Sequence, residues 1–89
     1  MRNRVWGLFA GPDAAAALCP SCGLRMLQSA FQAGHIRAAA HGGPALVGNL
    51  LPLCPSCNTS LRDEDLDAFA ARSANGRLAA AVAAARRWA

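Results

Sequence analysis

The chain has 89 residues, nine arginines with no lysine, five acidic residues and a formal charge of +4. A length of this order makes one domain that buries only about 60–65% of its unfolded surface, so a staple is expected beside the core. No run approaches the roughly 18 apolar residues of a membrane span.

The opening MRNRVWGLFAGPDAAAA has basic, apolar and small residues in the order of a signal peptide. Its apolar stretch is too short and is stopped by Gly11, Pro12 and Asp13, so a cytoplasmic, reducing setting is expected. Asn3 to Phe9 is predicted to be a short helix, with Val5, Leu8 and Phe9 at i, i+3, i+4 spacing. A tight C-P-S-C turn follows Leu18. Arg25 to Ile36 has no helical stripe and suits one arm of a hairpin, Gly42-Gly43-Pro44 marks the bend, and Ala45 to Leu53 is the returning arm. After Leu53 a helix is predicted to start at the second C-P-S-C, with Pro55 in its first turn. A further helix is predicted from about Asp63 to Ser73, its acidic start suited to a helix N-terminus. Asn75-Gly76 reads as a break before a last, alanine-rich helix over about residues 77–88. Hydrophobic residues make up 54% of the chain, but many are alanine. The core therefore rests on a few large side chains, among them Trp6, Leu8, Phe9, Phe31, Leu66 and Trp88.

Cys19 and Cys22 form one C-x2-C pair, and Cys54 and Cys57 form another. Two such pairs let four thiolates surround one zinc ion tetrahedrally, and the binding energy becomes folding energy that a thin core lacks. Two disulfides or a redox C-x-x-C are the other uses of such cysteines. A reducing compartment disfavours the first and the doubling of the motif disfavours the second. The expected zinc is structural, saturated by protein ligands.

Three polar residues stand between or beside the knuckles: His35, Asn49 and Asn58. The combination G-H-I (Gly34 to Ile36), Gly42-Gly43 and N-L-L-P-L-C-P-S-C-N (Asn49 to Asn58) resembles the HNH endonuclease family, also called ββα-metal or His-Me finger nucleases. It looks closest to a zinc-anchored subgroup with F-x-x-G-H-I in place of the commoner D-H-I. The flanks R-V-W-G-L-F-A-G and N-T-S-L-R-D-E-D-L-D-A-F resemble that subgroup as well. The likeness runs over about residues 4–69 and leaves only the last helix outside it. It implies an α+β fold: a single small zinc-stabilised ββα-metal (HNH) domain over residues 1–89, with flanking helices.

The resemblance also implies roles. His35 matches the general base that takes a proton from water for attack on a phosphodiester, Asn49 the residue that holds the loop and orients that histidine, and Asn58 a ligand of a catalytic divalent ion. Each role is chemically sound. Imidazole titrates near about 6.5 and accepts a proton at physiological pH, and an amide oxygen suits a hard ion such as Mg²⁺. One position departs from the pattern: Gly34 stands where most of the family carry an aspartate ligand, and Ala33 stands where the subgroup usually has cysteine. His41, Asp63 and Glu64 are candidates for the missing donor.

A basic, all-arginine surface suits nucleic acid, and Arg25, Arg37 and Arg62 are expected to hold phosphates on the hairpin face. The function expected is a Mg²⁺-type, metal-dependent endonuclease acting on duplex or branched DNA, since phage enzymes that resolve branched DNA share the zinc-clamped layout. The alternative is a non-catalytic, zinc-stabilised nucleic-acid-binding module on the same fold. Under the nuclease reading, His35 and Asn58 face one another across a pocket.

Overall fold

The structure is a computed structural model that describes residues 1–88. Helix α1 (Arg2–Ala10) buries Val5 and Trp6 and ends at Gly11, whose φ of 104° favours glycine. The Trp6 indole N–H donates to the Ala14 carbonyl at 2.8 Å, and its ring lies 4.9 Å from that of Phe31. Leu8, expected in the core, is instead 44% exposed, because Val5 and Trp6 define the inward face.

Strands β1 (Ala16–Leu18) and β2 (Arg25–Leu27) pair antiparallel on either side of the first C-P-S-C, with Ala17 opposite Met26. This corrects the expectation of one continuous arm from Arg25 to Ile36. The first knuckle closes on itself, Cys19 N–H bonding the Leu24 carbonyl at 2.7 Å and Gly23 N–H the Cys19 carbonyl at 2.9 Å. That closure lays the segments on either side of it next to one another. The chain then turns, with Ala30 N–H on the Leu27 carbonyl, before β3 (Gln32–His35) begins.

Strand β4 (Leu50–Leu53) pairs antiparallel with β3, from Gln32 opposite Leu53 to His35 opposite Leu50. All four of its residues are buried, so the run L-L-P-L carries no alternation. The returning arm is thus shorter than the expected Ala45 to Leu53. Between the strands lies a loop with one 3-10 turn at Ala39–His41. Gly43 is required there, since a β-carbon would collide with the Arg37 carbonyl oxygen.

Helix α2 (Pro55–Leu61) starts directly from β4, with Cys54 as N-cap and Pro55 in its first turn. It stops at Arg62, a non-glycine residue with φ 54°. Asp63 and Glu64 therefore lie in a turn, and helix α3 (Leu66–Arg72) begins three residues later than expected, with Asp65 as N-cap. Helix α4 (Gly76–Ala85) is capped by the Asn75 side chain, which accepts from Leu78 N–H at 3.0 Å. The expected break at Asn75-Gly76 is accordingly a helix start.

One hydrophobic cluster joins the first and last helices to the β3–β4 sheet: Trp6, Phe31, Leu51, Leu53, Leu78 and Val82 all belong to it, and Trp88 packs partly buried against it. Trp88 thus helps to close the core. The product is a small mixed helix-and-sheet fold around two two-stranded sheets. No helix among the described residues is long and apolar enough to cross a membrane.

Candidate functional site

The four cysteine sulfurs come from two different elements and converge, all lying within 4.8 Å of one another. Cys19 and Cys22 are presented by the β1–β2 hairpin, and Cys54 and Cys57 by the start of α2. Cys22 and Cys54 sulfurs stand 3.6 Å apart, and Cys54 N–H donates to the Cys19 sulfur at 3.4 Å. A tetrahedral zinc thiolate site, with bonds of about 2.3 Å, spaces its sulfurs about 3.8 Å apart. The cluster fits that geometry and can hold a metal ion such as zinc.

The thiols are unequal. Burial raises Cys19, but hydrogen bonds from the backbone of Cys54, Cys22 and Ser21 outweigh it and bring it down to about 7. Burial pushes Cys57 up to about 12, and Cys54 is raised by the same cause. Gathering four thiolates is unfavourable without a cation and favourable with one. The last helix is tied to this cluster too. Asn75 donates to the Ser21 carbonyl at 2.7 Å, and the Arg77 guanidinium lies against Gly23.

A cavity of about 290 Å³ opens between β3, the loop after it and the end of α2. Ala33, His35, Asn58, Arg62, Asp63 and Glu64 line it. Strand β3 supplies the half-buried His35, and α2 supplies Asn58, the residue after the last cysteine. The knuckle that fixes the start of α2 therefore also fixes where Asn58 points. Gly34 leaves room for it: a β-carbon there would lie 3.1 Å from Asn58 Oδ1 and 2.6 Å from Leu53 Cδ1.

Asn49 acts on the loop backbone. Its Oδ1 accepts from Arg37 N–H at 2.9 Å, and its Nδ2 donates to the carbonyls of Pro44 at 2.8 Å and Arg37 at 3.2 Å. Its own carbonyl accepts from Ile36 N–H at 2.8 Å. Three side-chain bonds and one backbone bond thus clamp both ends of the loop just beyond His35.

The candidate donors separate clearly. His41 Nδ1 meets Asp65 Oδ1 at 2.9 Å and does not line the cavity. Glu64 lines it, but both of its carboxylate oxygens take the Arg72 Nε, at 2.8 and 2.9 Å. Asp63 lines it and joins none of the ion pairs among the described residues. An amide oxygen and carboxylates are the donors that hard divalent cations take.

The arginines are dispersed. Arg62 lines the cavity. Arg37 spends its Nε on the His41 carbonyl at 2.9 Å, within the loop. Arg25 lies on β2, opposite Leu18 in the other sheet. Sequence reasoning missed Asp65, which ties the loop to α3 by accepting from Ala38 N–H at 2.7 Å as well as meeting His41. Its carboxyl is held below the usual carboxylate range, first by the Ala38 bond and then by His41. No local pattern announces a contact between residues 24 to 27 positions apart.

The sequence model of the HNH endonuclease family matches residues 19–64, just over half of the chain. That span runs from the first metal-knuckle cysteine to the acidic turn beyond α2. No curated protein and no solved structure matches the chain. With a four-cysteine clamp beneath a strand–strand–helix unit and the family match across it, the chain belongs to the HNH endonuclease family.

Proposed function

We propose that the protein is a divalent-metal-dependent DNA endonuclease whose four cysteines hold a structural zinc ion. The observation that carries the reading is the convergence of His35 and Asn58 on one cavity, from β3 and from the helix that follows directly on its partner strand β4. His35 accepts a proton from water as the water oxygen bonds to phosphorus. The bond from phosphorus to one ester oxygen breaks, and that oxygen takes a proton from solvent, so one water is consumed per cut. A bound divalent ion supplies polarisation of the scissile phosphate and neutralises charge on the leaving oxygen. Asn58 offers it an amide oxygen, Asn49 holds the loop that follows His35, and Arg62 is placed to contact a phosphate at the cavity rim. Arginine contacts to phosphates position the duplex but carry no sequence information.

The test is nicking of supercoiled plasmid by zinc-loaded protein with Mg²⁺ or Mn²⁺, beside EDTA and His35→Ala controls. Nicking that needs both the divalent ion and His35 is expected. A second reading, a binding module that grips DNA without cutting, is favoured by one feature: Gly34 brings no carboxylate to Asn58. Retained DNA binding and zinc content without any nicking would select it.

A further inference from the structure

We propose that Asp63 supplies the anionic oxygen donor for the divalent cation at the His35–Asn58 cavity, in place of the carboxylate that Gly34 lacks. The inference rests on the nuclease reading and assigns the residue which completes its metal site. Cation sites that hold Mg²⁺-like ions use carboxylates because a neutral amide alone offers too little charge. Asn58 is such an amide, and Gly34, whose β-carbon would lie 3.1 Å from its oxygen, has no side chain.

Acidic groups near the cavity are few, and their partners decide among them. Asp65 does not line the cavity and is occupied by Ala38 N–H and His41. Glu64 lines the cavity, but its two oxygens are taken by Arg72. His41, a candidate nitrogen donor by sequence, is taken by Asp65. Asp63 alone among these lines the cavity with His35 and Asn58 while forming no ion pair with another described residue.

The backbone explains its position. Helix α2 ends at Arg62 with φ 54°, a conformation a non-glycine side chain rarely adopts. Glu64 N–H then bonds the Leu61 carbonyl at 3.1 Å, which closes a tight turn with Asp63 within it. Asp63 thus lies in the turn just beyond the helix that carries Asn58 and lines the same cavity. The ligand class is a hard divalent cation, bound by the Asn58 amide, the Asp63 carboxylate and water.

Mn²⁺ binding to the zinc-loaded, full-length protein tests this without reference to cleavage, by loss of the free-ion electron paramagnetic resonance signal. Asp63→Asn is expected to weaken Mn²⁺ binding about tenfold or more, and Asn58→Ala by a similar factor. Glu64→Gln is expected to change it less than about twofold, since Glu64 is committed to Arg72. Zinc content and circular dichroism establish that each variant is folded. Should Asp63→Asn bind Mn²⁺ as the parent does while Asn58→Ala does not, the inference falls and the nuclease reading stands. If Glu64→Gln rather than Asp63→Asn loses the ion, the donor is misassigned. A parent protein that takes up no Mn²⁺ overturns both.

Discussion

Asn58 Oδ1 sits 3.1 Å from where a β-carbon on Gly34 would stand, and Leu53 Cδ1 is closer still at 2.6 Å. The glycine is therefore a fitted position as much as a missing ligand, because the space an aspartate would use is held by the two neighbours.

Gly34→Ala is accordingly expected to destabilise the protein. Leu53 is almost wholly buried, so it must leave its place. Overpacking of this kind, partly offset by the entropy alanine removes from the unfolded chain, gives a net loss of about 1–2 kcal/mol. In a domain of this size that is a fall in Tm on the order of 5–15 °C by scanning calorimetry. Pairing it with Leu53→Val should recover most of the loss. A single variant that melts higher than the parent would show that the strand has room to spare.

Asn49→Ala tests the loop clamp. It removes three side-chain hydrogen bonds, two of them to Arg37 and one to Pro44. At about 1 kcal/mol each, lessened by partial exposure, the cost is about 2 kcal/mol. Amide exchange should accelerate between Arg37 and Gly48 while Leu51 and Leu53 stay protected. Uniform acceleration across the chain would mean that Asn49 supports the core instead.

Metal binding should be steeply pH-dependent. Cys54 and Cys57 lie above their ordinary range in the metal-free fold, so both carry protons near neutrality. Each must lose its proton to ligate, and a metal-free chain that unfolds presents thiols of about 8.5, which leaves the sign unchanged. At least two protons leave per ion, and apparent zinc affinity should rise on the order of a hundredfold per pH unit between about pH 6 and 8. Calorimetry in buffers of differing ionisation enthalpy counts the protons. A flat profile would show that the thiols are not the ligands.

How much of this was legible beforehand depends on how far apart the interacting residues are. The two C-P-S-C knuckles, and the step from Cys57 to Asn58, are local patterns whose geometry follows from one turn of chain, and both led to the observed arrangement. Strand β1 was missed and β2 was merged into one long arm with β3, because A-A-L and R-M-L are too short to show a period. Their pairing comes from the knuckle that closes between them. The His41–Asp65 and Glu64–Arg72 pairs were equally hidden. Choosing which acid stays free at the cavity needed the α3 register, and the positive φ at Arg62 shifted that register by three residues from the expected start.

Asn75→Ala is expected to cost about 1–2 kcal/mol, because it removes a helix cap and the bond to Ser21 together. Denaturant unfolding reads the loss, and zinc transfer to a competing chelator should become faster in the variant. Unchanged transfer would separate the helix from the knuckle.

The Asn75–Ser21 bond joins positions 54 residues apart. A chain leaving the ribosome can assemble its four sulfurs once Cys57 has emerged, yet the first knuckle gains this last partner only after α4 begins to form. Any metal capture at the four sulfurs would thus precede this lock during synthesis, and a chain cut short after α3 would lack the Asn75–Ser21 bond.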